Sequence, residues 1–248
     1  MKREDVFLSL IIPVYNEEER VDEPLPAVFE YCSRFAQHEI LFVDDGSTDS
    51  TPDRLSAIAG SCPLVRLIRL PVNRGKGAAV RAGLLEARGA VHLFSDADFS
   101  TPITEADKLL DSISSGFDVA IGSRGLAASN IIEAQPWYRE AAGKMGNVLA
   151  RALLPLDIED TQCGFKMFTE RASKLIAPRL RVQGFAFDME MLVIARQQGL
   201  EIAEIPVIWR NVLGSKVRAI HNLQVLRDLL RIRYRLALGD YSEEPLTS

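Results

Sequence analysis

The 248-residue chain predicts an α/β fold, a Rossmann-like and mostly parallel sheet flanked by helices. Three observations carry this. Short apolar runs alternate with helix-like segments through the first half, which implies right-handed crossovers between parallel strands. Polar, Gly-rich sequence follows the end of each of those runs: "YNEEE", "DDGSTDS", "NRGKG", "DAD" and "GSR". In parallel sheets that edge is where ligands sit. Composition is that of an ordinary globular protein, 47% hydrophobic and 25% charged, and no stretch has the character of an interdomain linker, so one domain is expected.

The elements follow in order. "LSLIIPV" (Leu8 to Val14) reads as a buried strand, and Val21, Leu25, Val28 and Phe29 then fall at helical spacing. "EILFVDD" is a second strand, and "STPDRLSAIA" opens a helix with Ser50 or Thr51 as its cap and Pro52 in the first turn. "LVRLIRL" is a third strand, "KGAAVRAGLLEA" a helix, "AVHLFSD" a fourth strand. "TPITEADKLLDSI" reads as a helix capped by Thr101, and "FDVAIGSR" as a fifth strand. The second half is less regular: a helix in "WYREAAGKMGNVLARALL", a loop running into a strand in "EDTQCGFKMFT", and a helix in "AFDMEMLVIARQQG" stopped by Gly199. A strand "LEIAEIPVIW" and a last helix "NLQVLRDLLRIRYRLAL" complete the series.

A net charge of −5 argues against a nucleic-acid partner. Three cysteines without a CxxC pair argue against a disulfide framework or zinc site and suit a reducing, cytoplasmic compartment. The N-terminus lacks a signal-peptide core, and no apolar run approaches the ~20 residues of a spanning helix. A soluble protein, or one peripheral to a membrane, is expected. His92 sits in an apolar strand and reads as a core residue. No Ser/His/Asp order is compelling, and metal-ligand His pairs are absent.

Asp96 and Asp98, at i and i+2 of an extended chain, share one side and repel each other. A solvated strand end would also carry Asp, but at the mouth of a parallel sheet such oxygen ligands suit Mg²⁺ or Mn²⁺, which leaves positions for substrate phosphates. In "VDDGSTDST" the Ser and Thr fit a turn and helix cap, whereas Asp44 and Asp45 are more than a cap needs and can accept hydrogen bonds from a nucleobase or ribose. "NRGKGAAVRAG" is neither GxxxxGK[ST] nor a GxGxxG after the first strand. Its Gly75 and Gly77 allow close backbone approach, and Lys76 places positive charge near a helix N-terminus.

Taken together, "SLIIPVYNEEERV", "LFVDDGSTDST", "NRGKGAAVRAG", "SDADFSTP", "IGSR", "DTQCGFKMF", "GFAFDMEML" and "EIPVIWRNVLGSKV" resemble family 2 glycosyltransferases of the glycosyltransferase-A fold, in the family's order. The chain is most similar to the polyprenyl-phosphate sugar synthases, of dolichyl-phosphate glucosyltransferase or mannosyltransferase type. The resemblance implies a catalytic domain over residues 1–220, with 221–248 its C-terminal amphipathic helix and tail. It implies that Pro13, Tyr15 and Glu17 hold the nucleotide base, that Val43 and Asp45 contact base and ribose, and that Asp96, Ala97 and Asp98 hold metal and diphosphate. Ser100 stands where many members carry Gln. Arg124, Arg210 and Lys216 match basic residues that contact the donor diphosphate or the acceptor phosphate, so Asp98, Arg124 and Lys216 are the candidate catalytic residues.

The implied reaction is direct displacement with inversion at the anomeric carbon of a nucleotide sugar. UDP-glucose is favoured over GDP-mannose, on "DTQCGFKMF", "NRGKGAAVRAG" and "GSKV". A polyprenyl phosphate acceptor is already anionic and needs orientation and charge compensation rather than a base. A sugar-hydroxyl acceptor would need one, with Asp188 and Asp160 as candidates. The rivals are a transferase with a soluble, protein or polysaccharide acceptor, and a nucleotide-sugar-binding module without catalysis. Between Pro206 and Leu238 seven Lys or Arg residues face one acidic residue, Asp228. At ~100° per residue the last helix is expected to gather Leu223, Val225, Leu226, Leu229, Leu230, Ile232 and Leu236 on one broad face. Arg227, Arg231 and Arg235 fall opposite, and Arg233 interrupts the apolar face. That form suits an anionic membrane surface; the alternatives are packing on the helix's own domain or against a second copy in a homodimer.

Overall fold

The computed structural model describes residues 6–133, 150–211 and 220–242. Five strands follow the expected order: β1 (Phe7–Val14), β2 (Gln37–Asp44), β3 (Val65–Arg69), β4 (Val91–Ser95) and β5 (Val119–Ser123). The helices between them are α1 (Leu25–Cys32), α2 (Thr51–Ser61), α3 (Lys76–Glu86) and α4 (Ala106–Ser114). Then come β6 (Asn130–Glu133), β7 (Phe165–Thr169), α5 (Glu170–Ile176), α6 (Phe187–Gln197), β8 (Ile202–Pro206), β9 (Ile208–Arg210), which forms a two-stranded ribbon with β6, and α7 (Ile220–Leu238).

The main sheet has the order β3-β2-β1-β4-β7-β5-β8. β1 pairs in parallel with β2 on one side and β4 on the other. The chain therefore reverses its winding between β1 and β4, and the two strand ends diverge into a crevice there. β7 enters between β4 and β5 and is antiparallel to both. Strand periodicity marks faces and not direction, so the sequence could place this strand without orienting it.

Alternation along the strands divides the apolar residues between two cores. Leu8, Leu10, Ile12, Ile40, Phe42 and Leu93 point to the side covered by α1, α2 and α4. Ile11, Val43, Phe94, Ile121 and Phe168 point to the side covered by α3, α5, α6 and α7. His92 is a core residue, as expected: it is 1% exposed, and its ring nitrogens bond the Ser173 hydroxyl and the Gly89 carbonyl, both at 2.8 Å.

Several boundaries differ from the sequence reading. The first helix begins only at Leu25, after turns that bury Val21. The segment from Thr101 forms a 3-10 turn, Ile103–Glu105, before α4, and Thr101 is buried and makes no cap. The strand expected over 200–209 is two strands, because Val207 turns into the core and β9 leaves to pair with β6. Gly199 does end α6, with φ 66°. The helix expected over 137–154 lies outside the described residues except for its last turn at 150–153.

Candidate functional site

The loops after β1 and β2 interlock. Asn16 adopts the left-handed region, φ 53°. Its backbone N–H donates to the Ser47 hydroxyl and its side chain accepts from the Thr48 N–H, each at 2.8 Å. The Glu17 N–H donates to the Thr51 hydroxyl at 2.8 Å, and the Ser50 hydroxyl donates to Glu18 at 2.6 Å. The expected side-chain cap of α2 is therefore not made: Ser50 and Thr51 tie two loops together instead. Asp45 ties in a third, accepting the N–H groups of Arg74 and Gly75 at 2.9 and 2.7 Å. Burial raises its carboxyl above the usual range against these bonds. These contacts fix Tyr15, Glu17 and Asp45 along the rim of a cleft of about 1280 Å³.

Asp96, Ala97 and Asp98 form the floor at the end of β4. The chain turns so tightly that Phe99 takes φ 45° and the Ser100 N–H reaches back to Asp98 at 3.0 Å. The Asp96 N–H donates to the Gly164 carbonyl at 3.0 Å, and a Cβ on Gly164 would come within 2.1 Å of the Asp96 carboxylate and displace it from this position. Lys76 Nζ meets Asp96 at 2.6 Å. Burial works against the Lys76 charge, but Asp96 and Asp188 outweigh it and hold the ammonium above its ordinary value. Burial, and then the neighbouring Asp96, push the Asp98 carboxyl up. The pair carries more negative charge than its surroundings welcome, which suits a hard cation with oxygen ligands. Two carboxylates are enough for such an ion when phosphate and water complete its shell.

Other expected residues lie elsewhere. Val43 packs in the core beneath α3, and Asp44 is wholly buried, accepting the Ser47 N–H at 3.0 Å; neither lines the cleft. Arg124 is bound by Asp160 through Nε at 2.6 Å and Nη2 at 2.8 Å, and rests over the Trp209 ring. Burial opposes the Arg124 charge, but Asp160 prevails and raises its pKa. Burial likewise opposes the Asp160 charge, and Arg124 in turn lowers that carboxyl. Asp188 is buried against Lys166, whose Nζ also donates to the Cys163 carbonyl at 2.5 Å; burial raises the Asp188 carboxyl against the pull of Lys166 and Lys76. Arg210 is exposed on β9, its backbone N–H bonded to the Ser100 carbonyl at 2.8 Å. Lys216 lies outside the described residues. Pro13, Tyr15, Glu17, Asp45, Lys76, Asp96, Ala97 and Asp98 are the expected residues brought together.

The far wall is built by residues the sequence reading did not place there. The 181–185 segment faces Gly75 and Gly77, the Gly77 N–H donating to the Gln183 carbonyl at 2.7 Å. A Cβ on Gly77 would sit 2.5 Å from the Val182 carbonyl oxygen, so the close approach that this glycine allows is one by the chain itself. Glu190, fully buried on α6, holds the segment: it accepts the N–H groups of Arg181 and Val182 at 2.8 and 2.6 Å. It also accepts the Tyr241 hydroxyl at 2.7 Å and pairs with Arg235 at 3.5 Å. Burial raises its carboxyl all the same. Beside this segment α7 turns Arg227, Arg231 and Arg235 into the cleft.

The family description "Glycosyl transferase family 2" matches residues 9–176. The chain belongs to glycosyl transferase family 2. It is 36% identical to the dolichyl-phosphate beta-glucosyltransferase of Saccharomyces cerevisiae, over 97% of this chain and 78% of that protein. It is 34% identical to the human protein of that name, over 96% of this chain and 78% of that one, and 32% to that of Dictyostelium discoideum, over 95% and 76%. Among solved structures it is similar in fold to glucosyl-3-phosphoglycerate synthase of Mycobacterium tuberculosis, crystallised with Mn²⁺, UDP-glucose and phosphoglyceric acid. The TM-score is 0.68 at 19% identity, covering 93% of this chain and 80% of that one. The family 2 match stops within α5, so Glu190 and the arginines of α7 lie beyond it. The signal that could have found them was the arginine spacing of four in α7, which the sequence reading turned outward.

Proposed function

We propose that this chain is an inverting family 2 transferase that moves glucose from UDP-glucose to a dolichyl-type polyprenyl phosphate at a membrane surface. The observation that carries this is the shared name of relatives at 32–36% identity, dolichyl-phosphate beta-glucosyltransferase, matched over nearly all of this chain. The geometry supports it. Asp160 and Asp188, the two candidate bases for a hydroxyl acceptor, are each held by a cation, and neither lines the cleft. A phosphate acceptor needs no base, and the cleft offers cations instead.

In this reading Tyr15, Glu17 and Asp45 receive the nucleoside, and Asp96 and Asp98 hold Mg²⁺ or Mn²⁺. When bound, that ion neutralises charge on the leaving diphosphate. Lys76 stays beside the diphosphate and supplies a second positive charge. The interlocked loops keep the donor oriented for in-line attack by the acceptor oxygen. Arg124, neutralised by Asp160 and stacked on Trp209, fixes the wall behind β5 rather than meeting a phosphate directly. Among the described residues no helix is long and apolar enough to cross a membrane.

The test is a panel of UDP- and GDP-sugars offered with a polyprenyl phosphate and Mg²⁺ or Mn²⁺, reading radioactivity extracted into organic solvent. UDP-glucose should give the lipid product, and EDTA should abolish it. Label passing only to water-soluble products would retire the lipid acceptor; preference for GDP-mannose would retire the donor.

A further inference from the structure

Helix α7 has three faces, not the two expected. Leu229 and Ile232 are buried in the core, with Val225 and Leu236 packed against it. Arg227, Arg231 and Arg235, each four residues apart, line the cleft. Between these faces runs a third, apolar and open to solvent: Leu226 is 37% exposed, Leu230 52%, Tyr234 66% and Leu238 57%. At ~100° per residue Leu226 and Arg227, or Leu230 and Arg231, are neighbours around the helix. The apolar stripe and the cationic stripe therefore share a border along its length.

The two stripes differ in how they are satisfied. Arg235 is tied to Glu190, and Arg231 shares Asp228 at 3.3 Å. Arg227 has no carboxylate partner among the described residues, and Arg181 across the cleft has none either. The excess is felt nearby: burial and then the charges of Arg181 and Arg74 lower the Arg81 pKa. The cleft is thus lined both by carboxylates, at Asp96 and Asp98, and by guanidinium groups, Arg181, Arg227 and Arg231 among them. Its volume of about 1280 Å³ exceeds the roughly 300–1,000 Å³ of a pocket for one small ligand, which leaves room for a second substrate beside a nucleotide sugar.

We propose that α7 is the acceptor helix: Arg227 and Arg231 receive the phosphate monoester of the lipid, and Leu226, Leu230 and Tyr234 receive its first hydrocarbon units. The proposal rests on the lipid-phosphate reading above and names the residues that would meet that lipid. An amphiphile with an anionic head and an apolar tail matches a helix whose cationic and apolar stripes touch, with the cationic one lining the same cleft as Asp96 and Asp98. Planar guanidinium groups suit phosphate oxygens. Free phosphate would satisfy only the arginines; the donor's diphosphate would satisfy them without using the apolar stripe.

The full chain is tested by equilibrium dialysis with a ten-carbon prenyl phosphate, with inorganic phosphate and with UDP, and by transfer kinetics on the same prenyl phosphate. In the variant Arg227→Gln/Arg231→Gln, Kd and KM for prenyl phosphate should rise about tenfold or more, as expected for lost hydrogen bonds to a charged group. The KM for UDP-glucose should stay within about twofold. Arg227→Lys/Arg231→Lys should recover part of the loss. Leu230→Ser/Tyr234→Ser should weaken prenyl phosphate and leave inorganic phosphate unchanged. All four side chains are outside the core, and circular dichroism confirms folding of each variant. Unchanged prenyl phosphate binding in the Gln variant overturns the proposal, as does a parallel rise in the KM for UDP-glucose or weakened binding to anionic vesicles alone. Dialysis needs no turnover. Wild-type protein that binds prenyl phosphate through these residues without transferring sugar would keep the acceptor helix and retire the transferase reading; transfer by a Gln variant as readily as by wild type would do the reverse.

Discussion

The two walls of the cleft are held together by opposite means. The sheet wall, from Tyr15 to Asp98, is fixed by backbone: N–H groups donated to Ser47, Thr51 and Asp45, a left-handed Asn16, and a glycine pressed on Asp96. Every link is short and local to a strand end. The far wall is fixed by one buried carboxylate, Glu190, on which the 181–182 backbone, Tyr241 and Arg235 converge. A wall made of many small links loses little when one is cut. A wall gathered on one group loses several contacts at once when that group is cut.

The largest expected effect follows from that difference. Glu190→Ala leaves two N–H groups and a buried hydroxyl without their acceptor and should destabilise the protein by about 3–5 kcal/mol, measured by urea unfolding. Ser47→Ala, which removes one link of the sheet wall, should cost no more than about 1 kcal/mol. Equal costs would break the contrast. Next comes Asp98→Asn, which keeps the shape of the sheet wall and removes its charge. Turnover should fall by about 10²–10³-fold while the melting temperature holds or rises, since the carboxyl is already pushed up by burial. Wild-type rates in a folded variant would remove Asp98 from the chemistry.

Gly77→Ala probes where the walls meet. Its Cβ would fall 2.5 Å from the Val182 carbonyl oxygen and 2.6 Å from Phe187 Cβ. Overpacking of this kind costs about 1–3 kcal/mol, and the better helix propensity of Ala returns roughly 1 kcal/mol of it. A stability unchanged from wild type would show that the far wall gives way freely. The smallest effect concerns the sheet wall in acid. Burial lowers the His92 pKa from 6.5, so below pH 6.5 the unfolded chain binds a proton that the folded chain refuses. Stability contributed by neutral His92 is therefore present above pH 6.5 and lost as pH falls below it, by up to about 1.4 kcal/mol per pH unit. Comparing the pH dependence of melting in wild type and His92→Gln isolates this slope; identical slopes would sink it.

The sheet wall was legible in the sequence because its chemistry sits at strand ends. Once "LSLIIPV" and "AVHLFSD" are parallel strands, Tyr15 and Asp96 must share an edge. Legibility failed where one residue type served two ends. Ser50 and Thr51 fit a helix cap by type, yet their oxygens go to the neighbouring loop, and nothing in local sequence names a partner more than thirty residues away. Val43 and Asp44 adjoin Asp45, but strand alternation and the depth of β2 bury both. The broad apolar face of the last helix failed for a different reason. A helical wheel orders residues around an axis without saying where the protein lies, so Leu226 and Leu230, next to Leu229, joined one arc. Leu223 lies outside the described side chains; among those described the core takes Val225, Leu229, Ile232 and Leu236, and that choice rotates the arginines into the cleft.

The convergence on Glu190 also sets an order of events during synthesis. The sheet wall is complete once β4 and β7 have left the ribosome. Glu190 emerges soon after, but its partners Arg235 and Tyr241 follow 45 and 51 residues later. For that interval a nascent chain carries a finished sheet wall and an open second wall, with a carboxylate waiting for its last donors. The segment that closes the cleft is made well after the strands that open it, so a chain not yet extended past Tyr241 cannot offer both walls to a substrate.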